Sequence, residues 1–352
     1  MAGVYVHIPF CVKKCSYCSF NSYERKLSVA EEYIKKVVSE IKTYKGFEAD
    51  TIYFGGGTPT VLESSQIIRI LDAVTKNCNI LNNAEITIEA NPGTCDYNKL
   101  YNLKAAGFNR ISFGLQSMND NELVALGRIH TAKEGIEAVK TAQKVGFINI
   151  SGDIMTAIPR QTIKSLRETV DIMTELGLKH ISSYSLTVEE GTPFHQMTDK
   201  LCLPDEDTER EMYYAVKDML ESFGFKHYEI SNFAREGFES RHNTGYWTGC
   251  DYIGVGAGAH SLYKNKRFSN VCNLNEYIYN NDTIAEVCDM NETERKKEYY
   301  MLGLRQMCGV RDDGNPKIDD LINKGLLVRE NNMVRLTQRG IDVSNFVFSE
   351  LM

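Results

Sequence analysis

Three cysteines stand close together near the start of the chain, in Tyr5-Val-His-Ile-Pro-Phe-Cys11-Val-Lys-Lys-Cys15-Ser-Tyr-Cys18-Ser-Phe20. The spacing is CxxxCxxC, and it follows a short β-branched run (Val4 to Ile8) that Pro9 closes. Thiolates select zinc, copper(I) or iron–sulfur clusters. A structural zinc site takes four protein ligands, whereas this segment supplies three, and the next cysteine is Cys78. A 4Fe-4S cluster on three cysteines keeps one iron free for an outside ligand, so Cys11, Cys15 and Cys18 are the expected metal ligands. A structural zinc knuckle and chance spacing remain the other readings of the same residues.

A scaffold must hold that loop, and the pattern that follows describes one. Strands are expected at Thr51–Phe54, Glu85–Ala90, Arg110–Phe113, Phe147–Ile154 and His180–Leu186, with amphipathic helical stretches between them. Ser28 and Glu31 are expected to cap the first helix as a box. With Val4–Ile8 as the first strand, six alternating units predict an α/β fold, a partial (β/α)6 TIM-like barrel. Sites in such sheets lie at the C-terminal strand ends. The polar punctuation falls there: Gly55-Gly-Gly-Thr-Pro59, Glu89-Ala-Asn-Pro-Gly93, Gly114-Leu-Gln116-Ser117, Asp153 and Ser183-Tyr-Ser185. The glycine loop lacks the lysine of a P-loop and the spacing of a dinucleotide fingerprint. Taken singly, Glu89 and Asp153 read as caps or ion-pair partners, and Arg128 as a solvated cation.

The cysteine loop, with Tyr17 before the third thiol, resembles the radical S-adenosylmethionine superfamily. The wider phrase from Tyr5 to Cys11 is similar to the branch that holds oxygen-independent coproporphyrinogen III oxidase and the HemW-type haem chaperones. The resemblance implies S-adenosylmethionine on the open iron, where electron transfer can split the sulfonium. Carried over residue by residue, it implies nucleotide contacts from Tyr5, Tyr17, Gly56, Gly57, Thr58, Glu89, Gln116, Arg128 and Asp153. The segment Asp153-Ile-Met-Thr-Ala157-Ile-Pro-Arg160 departs from the family's usual Gly-Leu-Pro-Gly, and bulk at Ala157 and Arg160 is expected to alter the pocket wall.

Beyond Leu203 the pattern changes, and Arg241-His242-Asn243-Thr-Gly-Tyr246-Trp247 contains the only tryptophan. Read alone, it is either a grip on a flat macrocycle with an axial imidazole or a buried aromatic corner with a hydrogen-bonded histidine. It matches the HNxxYW signature of the HemW-type chaperones, which makes His242 the leading haem candidate, with His7 and His260 as rivals of structural or supporting role. The run Gly254-Val-Gly-Ala-Gly-Ala-His260 is expected to bring backbone close to the nucleotide. Residues 1–230 are read as the core partial barrel, 231–289 as a connecting segment and 290–352 as a small winged-helix-like domain. That last portion carries ten basic and ten acidic side chains, so the cationic face that phosphates demand is missing and no nucleic-acid partner is expected.

Composition bounds the rest. A net charge of −7 over 352 residues gives no electrostatic case for nucleic acid. No apolar run approaches a membrane span and no signal-like start is present, so a cytoplasmic protein with at most peripheral membrane association is expected. The other seven of the ten cysteines lack ligand spacing and read as reduced buried thiols. Phe20 stands where the oxidase has a further cysteine. The resemblance therefore implies a haem chaperone with haem, a 4Fe-4S cluster and S-adenosylmethionine as its cofactors. A homodimer is expected, with apo-haemoproteins such as respiratory enzymes as recipients. The competing readings are the oxidase itself, which decarboxylates propionates, and another radical enzyme acting on tetrapyrroles.

Overall fold

The computed structural model describes residues 2–352. Six parallel strands form its centre: β1 (Gly3–Ile8), β2 (Glu48–Gly56), β3 (Asn79–Ala90), β4 (Arg110–Gln116), β5 (Asn149–Thr156) and β6 (His180–Ser185), lying side by side in chain order. Strands covered on both faces lose the alternation of half-exposed ones, and β4 is buried at every position. The covering helices are α1 (Ala30–Ile41), α2 (Ser64–Asn77), α3 (Tyr97–Ala105), the short α4 (Asp120–Leu126), α5 (Ala132–Val145) and α6 (Ile163–Glu175). Each turns an apolar stripe to the sheet. Tyr33, Ile34, Val37 and Ile41 of α1 are buried, as are Ile67, Ile70, Leu71 and Val74 of α2. Full burial of such a side chain stabilises the fold by about 1.5–3 kcal/mol.

Two local expectations are corrected. The Ser28–Glu31 capping box does not form, because a 3-10 turn over Leu27–Val29 precedes α1. Glu31 instead pairs with Arg69 of α2 at 2.9 Å. The stretch 231–289 does more than connect. After α7 (Glu206–Ser222), strands β7 (Lys226–Glu229) and β8 (Asn232–Ala234) add antiparallel to β6. Helix α8 (Arg241–Trp247) then crosses back, and β9 (Tyr252–Val255) pairs parallel with the far side of β1. Antiparallel β10 (His260–Tyr263), β11 (Lys266–Asn270) and β12 (Ile284–Asp289) follow, giving twelve strands in one sheet.

The C-terminal portion has its own core around Tyr300, Leu304, Leu321, Val334 and Val347. Its hairpin joins Leu327–Glu330 to Met333–Leu336 through Asn331 and Asn332, both at positive φ (50° and 64°). Two left-handed residues make the tight turn whose twist suits a hairpin, and asparagine tolerates that region.

Candidate functional site

At the C-terminal mouth of the parallel strands lies a cavity of about 290 Å³. All three cysteines of the loop line it, together with Tyr17, Gly56, Gly57, Thr58, Glu89, Gln116, Arg128 and Asp153. Tyr5, expected here, does not line it. Asn91 and Tyr184, within the polar segments expected at the strand ends, line it too, whereas sequence reading missed Tyr53, Arg110, Ser112 and Ser182, which do as well. The signal was present as alternation: positions 110, 112, 114 and 116 of β4 all face inward, as period two requires.

The loop is fixed by bonds that do not involve the thiols. The Tyr23 amide donates to the Pro9 carbonyl (2.7 Å), Ser16 to Leu126 (3.1 Å) and Phe194 to Ser16 (3.0 Å). The Lys14 ammonium reaches the Phe20 carbonyl at 3.0 Å, and the Asn21 amide reaches that of Ala257 at 3.0 Å. Burial pushes the Cys11 and Cys18 thiols up from their ordinary values, so thiolates here need a cation's charge to form. Among the described residues no group of three His, Cys, Asp or Glu is set around a single ion. Three separate thiols around one cavity suit a cluster in which each iron takes one.

The glycine loop is shaped by packing. A Cβ on Gly56, whose φ is +112°, would lie 2.5 Å from the His7 ring, and one on Gly57 would lie 2.7 Å from the Phe10 carbonyl oxygen. Removing both side chains lets β2 run against the cysteine loop, where the Gly57 and Thr58 amides donate to Ile8 and Phe10. Thr58 sits 3.7 Å from the Cys11 sulfur and accepts a 2.8 Å bond from Asn91.

Charge is concentrated behind the loop. One Arg128 Nη donates to Asn91 Oδ1 and to the Gly114 carbonyl, each at 2.6 Å, and the other lies 3.4 Å from the Cys15 sulfur. Its Nε is buried without a partner among the described residues. An unspent donor on a buried guanidinium fits a carboxylate, the group that Arg binds through two parallel bonds. Burial opposes the Arg128 charge, but Cys15 and Tyr17 outweigh it and hold its pKa above the ordinary value. Glu89 accepts from the Tyr53 hydroxyl (2.7 Å) and the Gly56 amide (3.2 Å). Burial pushes its carboxyl up to about 7 despite the Tyr53 bond, and Asp153 adds to the rise. Burial also raises Asp153, against hydrogen bonds from Ser182 and Ser112. A deep pocket with one fork cation, two carboxyls and exposed backbone can bind a zwitterionic ligand that carries hydroxyls.

Ala157 and Arg160 do not wall this cavity. Ala157 packs with Leu126, Met155, Ile158 and Phe194 beneath the cysteine loop, and Arg160 is exposed. Both sit at positive φ, 58° and 64°, where glycine is at ease. The departure from Gly-Leu-Pro-Gly thus falls on backbone strain, about 1–3 kcal/mol at each, and leaves the pocket's shape alone.

His242 is buried and hydrogen-bonded on both ring nitrogens. It is buried beneath the cavities, against Gly3 and Thr51 near the start of β1 and within β2, while its neighbour Asn243 lines the mouth. Its Nδ1 pairs with the Thr51 hydroxyl and its Nε2 with the Tyr246 hydroxyl, each at 2.8 Å. The ring stacks on Tyr53 at 5.0 Å, and burial, with Arg110 adding, pushes its pKa down to about 3. These are the surroundings of a buried aromatic corner with a hydrogen-bonded histidine. Tyr246 and Trp247 of the same helix face a second cavity of about 520 Å³ on the flank of the first. Tyr5 lines that one, its hydroxyl 3.0 Å from His7 Nδ1, as do Gly258 and His260. The Gly254–His260 run therefore serves the second cavity and does not line the first.

The pattern for the radical SAM superfamily matches residues 5–173. Over its full length the chain is 36% identical to the heme chaperone HemW of Bacillus subtilis, covering 99% of that protein. It is 33% identical to HemW of Lactococcus lactis, covering 99% of this chain and 97% of that one. The solved structure of coproporphyrinogen III oxidase HemN from Escherichia coli, a radical SAM enzyme, superposes with a TM-score of 0.86 at 22% identity, covering 99% of this chain and 89% of that chain. Fold, cysteine loop and full-length similarity together mean that the chain belongs to the HemW family of the radical SAM superfamily.

Proposed function

We propose that the chain holds haem in the second cavity, beside a cluster-and-nucleotide site, and passes it to apo-haemoproteins. Cys11, Cys15 and Cys18 would hold the 4Fe-4S cluster, and Arg128, Glu89, Gln116, Asp153, Thr58, Tyr17 and the Gly56–Gly57 backbone would hold S-adenosylmethionine. When bound, that pair supplies one-electron chemistry. The chain's residues bind and orient: Arg128 turns its free Nε to a carboxylate, and Glu89 and Asp153 accept from hydroxyls.

The observation that carries the haem reading is the second cavity. It is large, and its walls are Tyr5, Phe20, Tyr246, Trp247, Tyr252, Leu262 and Leu302, the aromatic and aliphatic surface that a flat macrocycle needs. It shares Phe20, Gly56 and Glu89 with the nucleotide cavity. Relatives named as haem chaperones cover the whole chain, which supports the same reading. Among the described residues no helix is long and apolar enough to cross a membrane. Exposed Val12, Phe20 and Ile129 give an apolar rim near the cluster loop for a second copy or for a respiratory recipient met at the membrane surface. The test is one anaerobic preparation with S-adenosylmethionine, split between haem and coproporphyrinogen. Saturable haem binding with no protoporphyrinogen formed is expected, and conversion of coproporphyrinogen would overturn the reading in favour of the oxidase.

Glu89 gives this reading a pH signature. A carboxyl near 7 is neutral below that value and anionic above it, and the anion accepts hydroxyl bonds more strongly and attracts a cationic nucleotide. S-adenosylmethionine affinity is therefore expected to rise between about pH 6 and 8. In Glu89→Gln the rise should disappear, which isothermal titration across that range measures directly.

A further inference from the structure

We propose that Arg110 holds a carboxylate at the inner end of the nucleotide cavity, carried by a ligand other than the nucleotide. The proposal rests on the reading that Arg128 takes the nucleotide's own carboxylate, and it adds a subsite to that reading.

Arg110 is the first residue of β4 and is 2% exposed. It lines the cavity all the same, and its Nε has no partner among the described residues. Buried charges are ordinarily paired, because an unpaired one gives up its hydration with nothing in return. Arg241 and Arg267 follow that pattern, with carboxylate oxygens of Asp50 and Glu298 at 2.9 and 2.8 Å. Arg110 does not. Glu89 and Asp153 attract it through space, yet their bonds go elsewhere. Glu89 accepts from Tyr53 and Gly56, and Asp153 accepts from Ser112 at 3.4 Å. The charge of Arg110 is thus balanced while its Nε stays unspent, which suits an acceptor from outside the chain.

Depth separates it from Arg128. The Arg128 guanidinium donates to the Gly114 carbonyl at 2.6 Å and approaches the Cys15 sulfur at 3.4 Å, so it serves the cluster end. Arg110 lies four residues earlier on the same strand, about 13 Å along it at about 3.3 Å per residue. S-adenosylmethionine has one carboxylate, and seated on Arg128 it leaves Arg110 for another group. Ser182 and Tyr184 of β6 line the same cavity, and their hydroxyls are further donors for an anion. Tyr184 is 43% exposed, which leaves space beside it.

The class of ligand follows from the neighbours. A dianionic phosphate would be repelled by Glu89 and Asp153, whereas a singly charged carboxylate matches one guanidinium fork. Small free acids carry such a group, and so do the side arms of haem. The second cavity adjoins the first at Phe20, Gly56 and Glu89, which gives either source a way in.

The test uses anaerobically reconstituted wild type, Arg110→Gln and Arg110→Lys, each saturated with S-adenosylmethionine. Sodium propionate is titrated by calorimetry, and haem and haem dimethyl ester by absorbance. Arg110→Gln is expected to bind a carboxylate probe at least tenfold more weakly than wild type, a loss larger than any it shows for S-adenosylmethionine. Loss confined to haem, with the diester indifferent to the substitution, assigns the site to a haem side arm. Loss confined to propionate assigns it to a free acid. Arg110→Lys keeps the balancing charge without the planar fork, so it carries the same test, with a smaller loss, if the glutamine variant does not fold. Wild-type affinity for both probes in the folded variants would overturn the proposal. A loss for S-adenosylmethionine as large as that for the probes would also overturn it, by making Arg110 part of the nucleotide's own site. No binding of S-adenosylmethionine to wild type would overturn the nucleotide reading beneath it.

Discussion

The Cys15→Ala protein, reconstituted without oxygen, is expected to hold iron and sulfide only at background while its far-ultraviolet dichroism matches that of wild type. The two halves of that expectation come from different bonds. The loop is tied down by the amides of Tyr23, Ser16 and Phe194 and by Lys14 and Asn21, none of which needs a thiol. Losing one sulfur therefore leaves the loop standing. The cluster has no such redundancy: with two thiolates it loses one of its three protein bonds, and among the described residues no nearby carboxylate or imidazole completes a set. Serine at the same place should fail as well, because a hard alkoxide is a poor substitute for a soft thiolate on iron. Cys78→Ala is the contrasting variant. Its thiol is buried beside the Tyr44 carbonyl, 3.8 Å away and outside the loop, so it should keep wild-type iron. Full iron and sulfide in Cys15→Ala, or zinc in wild type, would remove the cluster from the account.

The sequence carried the chemistry of the mouth better than the geography of the flank. Cysteine spacing, glycine loop and the polar residues just past each strand lie within a few positions of one another, so local order fixes their company. Strand alternation then brings Glu89, Gln116 and Asp153 to one end without any contact having to be known. His242 was different. Its helix is one turn past Ser240, whose side chain accepts from the Asn243 amide, and nothing local says which end of a sheet that turn will reach. Pairing with Thr51, 191 residues away in sequence, decides it. Strand β9 escaped for a related reason. Tyr252–Val255 has four residues and runs into a glycine-rich turn, too short and too glycine-rich for periodicity to show. Only its register on β1 makes it a strand, and with it comes the wall that carries His260. Tyr5 illustrates the cost at a single residue: the family pattern implies the nucleotide, but the ring lines the second cavity.

Arg128→Met is expected to weaken S-adenosylmethionine binding by about two to three orders of magnitude while leaving cluster iron near the wild-type level. Breaking a buried charge pair by removing one partner costs about 3–5 kcal/mol, and each 1.4 kcal/mol is about tenfold in affinity. The range fits this site because Arg128 is deeply placed and its Nε has no partner among the described residues, so the nucleotide's carboxylate would be the group left unpaired. A second loss should appear without ligand. Asn91 Oδ1 and the Gly114 carbonyl each lose a 2.6 Å charge-assisted bond, worth about 1.5–3 kcal/mol for a charged donor, so the variant should also melt earlier. Arg128→Lys separates the two effects. It keeps the charge but has no planar fork, so it can serve the carboxylate or the Asn91–Gly114 pair, not both, and its affinity should fall between wild type and Met. Iron should survive in both variants because the three thiolates are unchanged and Arg128 only approaches the Cys15 sulfur at 3.4 Å. Calorimetric titration of the reconstituted proteins reads the affinity and iron analysis reads the cluster. An unchanged dissociation constant in Arg128→Met would mean that the free Nε faces something other than the nucleotide.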